Sequence, residues 1–260
     1  MTLQVLVSTM YQNDYSLLAR MNIQTDAIVI NQCDKNETNE FIYNGHIIKW
    51  ISTTDRGVGR SRNLAIINST ADIILFADDD VCYVDGYEDI VINEFKHQNW
   101  GLIVFNLTSL NPRRPEIIIK KGYRLKWFNC LKFGACKIAV DRKMLLYKNV
   151  FFSLLFGGGA TYQAGEDNLF ITNCIQSKMK CYASSSNIGS VKQEESTWFK
   201  GYNEKYYIDR GALFFAMYGK KSSLILFFME LIKNKNTSYT LLERYRFGKQ
   251  GIDQYKNINR

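Results

Sequence analysis

Short apolar runs recur along the first half of the chain, and most of them end in polar residues. Runs of this length, bounded by polar or turn residues, predict buried strands. Between the first two runs, residues 15–21 have helical character, so strand, helix and strand follow at the spacing of a right-handed βαβ unit. This order predicts a parallel sheet. The predicted strands of this region cover residues 3–7, 27–31, 47–51, 72–77 and 102–107.

The rest of the chain up to about residue 190 has a less regular pattern. Polar stretches and prolines predict loops, and glycines mark where helices begin. The predicted loops are residues 36–43 and 108–133, the predicted helices are 86–95 and 165–177, and two further short strands are predicted at 134–140 and 180–183.

The C-terminal pattern is different again. Residues 211–233 are strongly apolar and predict helices that either pack on the core or rest on a membrane surface. The longest apolar run is too short to span a bilayer. We therefore divide the chain into a domain at 1–210, with halves at about 1–107 and 108–210, and a helical C-terminal extension at 211–260.

Composition fits one large α/β domain and limits its chemistry. The chain has 260 residues, of which 46% are hydrophobic and 22% are charged. A net charge of +8 suggests an anionic partner, and nucleic acid, a nucleotide diphosphate and anionic lipid all stay open. The six cysteines form no CxxC pair and only two histidines are present, which argues against structural zinc and for reduced thiols. No signal peptide is evident, so we expect a cytoplasmic protein.

Polar residues follow the first strands directly. Ser8 and Thr9 come after the first strand, and Gln32 and Asp34 come after the second. Open α/β sheets bind ligands at the carboxyl ends of their strands. These side chains are therefore candidates for substrate binding.

An arginine-rich segment opens the helix that follows the third strand. Gly57 and Gly59 lie at its start, with Arg60, Arg62 and Asn63 close behind. Arginines in a first helical turn oppose the helix dipole, so their placement predicts a bound anion at this end. The alternative is a glycine-containing turn with arginines that face solvent.

Three adjacent aspartates, Asp78, Asp79 and Asp80, end the fourth strand. Their mutual repulsion favours a compensating cation, and carboxylate oxygens suit Mg²⁺ or Mn²⁺. Strand alternation points Asp78 and Asp80 to one side and Asp79 to the other. The sequence thus predicts a metal site with Asp80 and Asp78 as ligands; a solvated acidic turn is the alternative.

A second acidic pair, Glu166 and Asp167, follows a glycine-rich break and begins a helix. Carboxylates at this position stabilise a helix start, which is the simpler explanation. The functional hypothesis is a general base across a cleft from the metal. A nucleotide-sugar could then bind through its diphosphate, while Asp167 takes a proton from an acceptor hydroxyl.

These motifs, in this order, resemble those of the family-two glycosyltransferases, which are inverting enzymes with the GT-A fold. The resemblance covers roughly residues 1–215 and implies a mostly parallel, Rossmann-like α/β sheet flanked by helices. It rests on Ser8-Thr9, Gln32-Cys33-Asp34, the stretch from Gly57 to Asn63, Asp78-Asp79-Asp80 as the DxD motif and Gly165-Glu166-Asp167 as the ED motif.

The resemblance also implies roles. Asp34 would contact the nucleotide base, Asp78 the ribose or base, and Asp80 the metal, with Asp167 as the base catalyst. Arg60 and Arg62 would lie near the nucleotide. Many GT-A enzymes supply a late histidine to the metal, but no histidine follows His97 here. We place Gln193 in that role, and we add Trp198, from the aromatic segment 196–199, to the substrate-binding candidates.

The relatives that look most similar assemble bacterial surface polysaccharides such as capsule. The resemblance therefore implies a UDP-sugar donor, a glycan or polyprenyl-linked acceptor, and peripheral contact with the cytoplasmic membrane. Two other classes stay open. A haloacid-dehalogenase-like phosphatase would use Asp78 as nucleophile and Asp80 as acid, and a basic binding module would use paired cations such as Arg113-Arg114 to hold nucleic acid or membrane.

Overall fold

A single sheet of ten strands organises residues 1–193 of the computed structural model, which describes residues 1–193, 201–233 and 238–258. The strand order is β3-β4-β2-β1-β5-β9-β7-β10-β6, and β8 pairs with β10 beside this path. The strands are β1 Leu3–Met10, β2 Asp26–Gln32, β3 Glu37–Tyr43, β4 His46–Thr53, β5 Ile73–Asp78, β6 Val81–Tyr83, β7 Leu102–Ser109, β8 Tyr123–Arg124, β9 Ile138–Asp141 and β10 Cys181–Val191.

Helices flank this sheet and continue beyond it. The element that precedes β9 is a single 3₁₀ turn, Ala135–Lys137. The α-helices are α1 Leu17–Arg20, α2 Val58–Asn68, α3 Tyr87–His97, α4 Arg142–Tyr147, α5 Glu166–Gln176, α6 Glu204–Lys233 and α7 Leu241–Ile258.

The strands of the sheet centre run mostly in one direction. β4, β2, β1 and β5 are parallel neighbours, and β7 is parallel to β10. β9 lies between β5 and β7 and is antiparallel to both, which leaves β5 and β7 in the same direction. These pairings confirm the predicted parallel sheet.

Alternation along the strands builds one apolar layer on each face of the sheet. In β1, Val5 and Val7 belong to the layer that includes α1 and α3, whereas Leu6 belongs to the layer that includes α2 and α5. β5 alternates in the same way through Leu75 and Phe76. Strands covered on both faces read as continuous apolar runs, which explains why the sequence revealed them.

Strand register brings the polar strand ends to one edge. Ser8 of β1 lies beside Asp78 of β5, and Met10 of β1 lies beside Gln32 of β2. The predicted ligand-binding residues that end these strands therefore share the carboxyl edge of the sheet.

The segment 36–43 is a strand, so its prediction as a loop is wrong. It forms the edge strand β3, pairs antiparallel with β4 and has no buried residue, which explains its polar sequence. The turn between them is Asn44-Gly45, and both residues have positive φ, 49° and 86°. Asn-Gly is the turn signal of a two-residue hairpin. Two other boundaries differ: β9 begins only at Ile138, and β10 continues to Val191.

The C-terminal helices pack on the domain and on each other. Helix α6 begins at Glu204, ahead of residue 211, so the boundary at 210 falls within it. Leu213 packs with Phe156 and Leu169, which joins α6 to the preceding domain, and Phe214 packs with other buried side chains of the helical pair. No helix among the described residues is long and apolar enough to cross a membrane.

Candidate active site

A buried guanidinium joins the two acidic motifs. Arg62 of α2 is only 3% exposed. It donates hydrogen bonds to Asp78 at the end of β5 (3.0 Å) and to Asp167 at the start of α5 (2.7 Å). Glu166 lies 3.4 Å from the same guanidinium. Residues far apart in sequence thus form one cluster of three carboxylates and one cation at the carboxyl edge.

Glycines shape the approach of α5 to this cluster. Gly165 precedes the helix with φ 109°, a conformation that side chains rarely adopt, and it directs Glu166 and Asp167 into the first turn. Gly157 has φ 102°, and a Cβ there would lie 2.8 Å from the Glu166 carboxyl carbon. The glycine-rich break thus leaves room for Glu166 beside Arg62.

Burial and mutual repulsion set the protonation of these carboxylates. Burial first, and then the neighbouring Asp167 charge, raise the pKa of Glu166 to about 7 against the lowering influence of Arg62. Burial also raises the pKa of Asp167, against the lowering influence of Arg62. Burial alone would lower the pKa of Arg62, but the Asp167, Asp78 and Glu166 charges raise it well above its ordinary value. Arg62 therefore stays charged and keeps the carboxylates near it ionisable.

The three consecutive aspartates have three different environments. Asp78 faces Arg62, and Asp79 accepts a 2.5 Å hydrogen bond from the Thr9 hydroxyl. The backbone turns at Asp79 and Asp80, so strict strand alternation stops at Asp78. Asp80 accepts a hydrogen bond from the Gln193 backbone N–H at 3.3 Å. Burial first, and then the Asp78 charge, raise the pKa of Asp80.

Asp80 is suited to a hard cation such as Mg²⁺ or Mn²⁺. Burial and the Asp78 charge disfavour its ionised form, a cost that a bound cation would offset, and its oxygens are the ligands that these metals prefer. Within the described residues, no three His, Cys, Asp or Glu side chains converge on one point. A metal would therefore be held mainly by Asp80, with Asp78 nearby, and would need oxygens from substrate and water.

An exposed flat surface lies at the ends of β1, β2 and β4. Arg56 donates a 2.7 Å hydrogen bond to Asp34 and lies 5.4 Å from the centre of the Tyr11 ring. Tyr11 has φ 51°, an uncommon conformation for a residue with a large side chain, and it is 55% exposed. We call Tyr11, Arg56 and Asp34 the stacking platform, because an aromatic ring backed by a guanidinium accepts a planar base.

Solved structures of Staphylococcus aureus TarS share this arrangement of elements. One, in complex with UDP-GlcNAc, aligns with a TM-score of 0.61 at 14% identity over 99% of this chain and 72% of that chain. Another, in complex with UDP, aligns with a TM-score of 0.60 at 14% identity over 99% and 71%. The chain has the GT-A fold. A longer TarS structure aligns at 15% identity with a TM-score of 0.58, and this chain spans 43% of it.

The predicted GT-A fold class is confirmed by this likeness, and the dehalogenase-like alternative is set aside because it requires another fold. No protein-family model and no curated relative matches the chain.

Several predicted substrate-binding side chains instead hold the GT-A framework together. The Ser61 hydroxyl donates a hydrogen bond to the Ser8 hydroxyl in the buried interior. The side-chain carbonyl of Gln32 accepts a hydrogen bond from the Gly57 backbone N–H. The Asn63 amide donates to and accepts from the backbone of Phe152. These contacts fix the start of α2, while direct contact of these residues with a substrate stays a prediction.

The arginine-rich helix start meets carboxylates of the protein itself. Arg62 is buried and paired with Asp78 and Asp167, and its direct contact with a bound anion stays a prediction. Arg60 lies exposed on the outer side of α2, where it lines a cleft of about 420 Å³ with apolar residues such as Leu64 and Leu154. That cleft contains none of the acidic residues of the cluster, so we place the chemistry at Arg62.

Gln193 and Trp198 complete the set of predicted site residues. Gln193 lies beside Asp80, but its side-chain nitrogen donates to Glu116. Its role as a metal ligand stays a prediction, and Trp198 lies outside the described residues. Sequence reasoning did not select Tyr11, Glu116 or the buried Lys137, although an aromatic residue directly after the first strand is a signal that could have suggested Tyr11.

Proposed function

We propose that this protein is an inverting, metal-dependent glycosyltransferase that transfers a sugar from a nucleotide-sugar to a hydroxyl group. The observation that carries the proposal is the Arg62 cluster, which holds Asp78 and Asp167 on one guanidinium. In this cluster Asp167, a half-buried carboxylate that could accept a proton, lies near the aspartates at the end of β5. Dissimilar roles for neighbouring acidic groups are typical of active sites.

The donor would bind across the carboxyl edge. Its base would stack on Tyr11 of the platform, with Arg56 and Asp34 behind the ring. Its diphosphate would reach the Asp80 loop, where Mg²⁺ or Mn²⁺ would neutralise the charge on the leaving group. The TarS complexes with UDP-GlcNAc and UDP favour UDP as the nucleotide part of the donor.

Asp167 would act as the base. The acceptor oxygen forms a bond to the anomeric carbon, and its proton passes to an Asp167 oxygen. The bond from that carbon to the diphosphate oxygen breaks, and the electron pair leaves with the diphosphate. Because attack comes from the opposite face, the anomeric configuration inverts. Arg62 keeps Asp167 ionised before the step, since its charge opposes the raised pKa.

The acceptor is proposed from the resemblance alone. A glycan or a lipid-linked hydroxyl in surface-polysaccharide assembly is what the resemblance to family-two glycosyltransferases implies, and contact with the cytoplasmic membrane stays a prediction. The alternative of a basic nucleic-acid module rests on paired cations such as Arg113-Arg114, and salt-dependent RNA binding without UDP binding would favour it.

Asp167→Asn tests the role of the base. The variant should bind UDP as the wild type does and should lose transfer by about 10²–10⁴-fold, because an amide cannot take the proton. Thermal shifts with nucleotide-sugars, with and without Mn²⁺, measure binding. A large fall in melting temperature with full activity per folded molecule would favour the helix-capping explanation instead.

A further inference from the structure

A second buried charge pair lies behind Asp80, outside the Arg62 cluster. Lys137 is 2% exposed, and its ammonium group donates a hydrogen bond to the Glu116 carboxylate. Lys137 ends the 3₁₀ turn before β9, whereas Glu116 belongs to the connection between β7 and β8. A buried ammonium requires a paired anion, so this contact fastens the connection to the sheet.

The same Glu116 carboxylate reaches Gln193 through its other oxygen. Gln193 has φ 48°, a left-handed conformation that is costly for a residue with a side chain. Three contacts hold it there. Its side chain donates to Glu116, its carbonyl accepts from Asn111 at 2.9 Å, and its N–H donates to the Asp80 carboxylate. Such over-determined strain concentrates at functional sites.

The orientation of the Asp80 side chain depends on Gln193 more than the orientations of Asp78 and Asp79 do. Asp78 is held by the Arg62 side chain, and Asp79 by the Thr9 hydroxyl. Among the described contacts, the Asp80 carboxylate accepts a 3.3 Å hydrogen bond from the Gln193 backbone N–H. The orientation of Asp80 is thus set by where Gln193 lies.

We propose that Glu116 is a positioning residue, which holds Asp80 in its metal-binding orientation through Gln193. Lys137 neutralises the charge of Glu116. The proposal rests on the proposed function, because it assumes that Asp80 contacts the metal on the donor diphosphate. Residues behind a metal ligand commonly tune metal affinity in this way. The proposal thus adds the charged pair of Glu116 and Lys137 to the site, and neither acidic motif contains these residues.

The first test uses Gln193→Gly. Glycine adopts the left-handed backbone without strain, so the N–H can still reach Asp80, but the link to Glu116 is lost. Calorimetric titration of UDP in Mn²⁺ should show about 10-fold weaker binding. Titration of UDP without metal should match the wild type, because the stacking platform is separate from this pair.

The second test removes the pair itself without leaving a lone buried charge. Glu116→Gln combined with Lys137→Met should also weaken UDP binding in Mn²⁺ and leave metal-free binding unchanged. Glu94→Gln is the matched control, since Glu94 is a carboxylate that accepts hydrogen bonds from Ser184 and Ser186 of β10. The control should bind UDP as the wild type does, with and without Mn²⁺.

The outcomes separate the two proposals. If the wild type binds UDP more tightly in Mn²⁺ and both test variants do the same, the positioning role is overturned and the proposed function stands. A lower melting temperature with an unchanged effect of Mn²⁺ also overturns the positioning role, because it shows a merely structural pair. If Mn²⁺ does not strengthen UDP binding to the wild type, both proposals fail.

Discussion

Replacing Arg62 by methionine should destabilise the protein in a pH-dependent way. Methionine keeps much of the side-chain volume but leaves Asp78, Glu166 and Asp167 without their shared cation. Breaking a buried ion pair by removing one partner costs about 3–5 kcal/mol. We expect a loss of this size at about pH 8, where the carboxylates are ionised.

The sign of the pH dependence follows from the carboxylates. Even with Arg62 present, Glu166 has a pKa raised from its ordinary 4.5 to about 7, so the folded state binds more protons than the unfolded state between these values. Stability from this group is therefore full below about pH 4.5 and is lost as the pH rises toward 7. Without Arg62 the pKa rises further, so the variant should lose much less stability at about pH 5 than at about pH 8.

Urea unfolding at both pH values measures this difference. Arg60→Met serves as the control, because Arg60 is an arginine of the same helix whose side chain is exposed. Its effect should be small and the same at both pH values. An equal loss of stability for Arg62→Met at both pH values would refute the account of the cluster, because protonation would then not replace the guanidinium.

Three further predictions follow from the described contacts. Tyr11→Ala should weaken UDP binding about 10-fold with and without Mn²⁺, because base stacking contributes about 1–3 kcal/mol; calorimetry that shows no change would remove the platform. Asp80→Ala should abolish the effect of Mn²⁺ on UDP binding in the same assay, and a retained effect would exclude Asp80 as a ligand. Gly251→Ala should destabilise the packing of α6 against α7 by about 1–3 kcal/mol, because the alanine Cβ would lie 1.9 Å from the Ile208 carbonyl oxygen. Urea unfolding measures this loss, and unchanged stability would contradict the close approach of the two helices.

Much of the sheet could be predicted because its central strands are covered on both faces. The run ending at Val7 and the run ending at Ala77 are apolar throughout most of their length, and their polar ends mark the carboxyl edge. The edge strand β3 escaped prediction because it has no buried face, so its composition resembles that of a loop. Only its Asn44-Gly45 turn carried a local signal.

The chemistry of the site was harder to predict than its location. The acidic motifs were visible as local clusters, but their shared partner Arg62 is separated from Asp78 by 16 positions and from Asp167 by 105. A contact over such distances depends on the packing of α2 and α5 against the sheet. The sequence therefore suggested a bound anion at an arginine that the folded chain pairs internally.

Lys137 and Glu116 show the same limit. Each lies in a segment with other charged or polar residues, and nothing local indicates that Lys137 is buried. Its burial follows from the 3₁₀ turn behind Asp80, where the sequence predicted a continuous strand. Functional roles that depend on burial of a charge become visible only once the fold is known.

The most direct test of the central claim is to follow by NMR, in Mg²⁺, the hydrolysis of the UDP-sugar that gives the largest thermal shift, with water as the acceptor, by the wild type and by Asp167→Asn. Release of UDP, with the sugar appearing first in the anomeric configuration opposite to the donor's, is the predicted result for the wild type. The variant should bind the donor and release UDP at least about 10²-fold more slowly. Retention of configuration, or equal release of UDP by both proteins, would contradict the account.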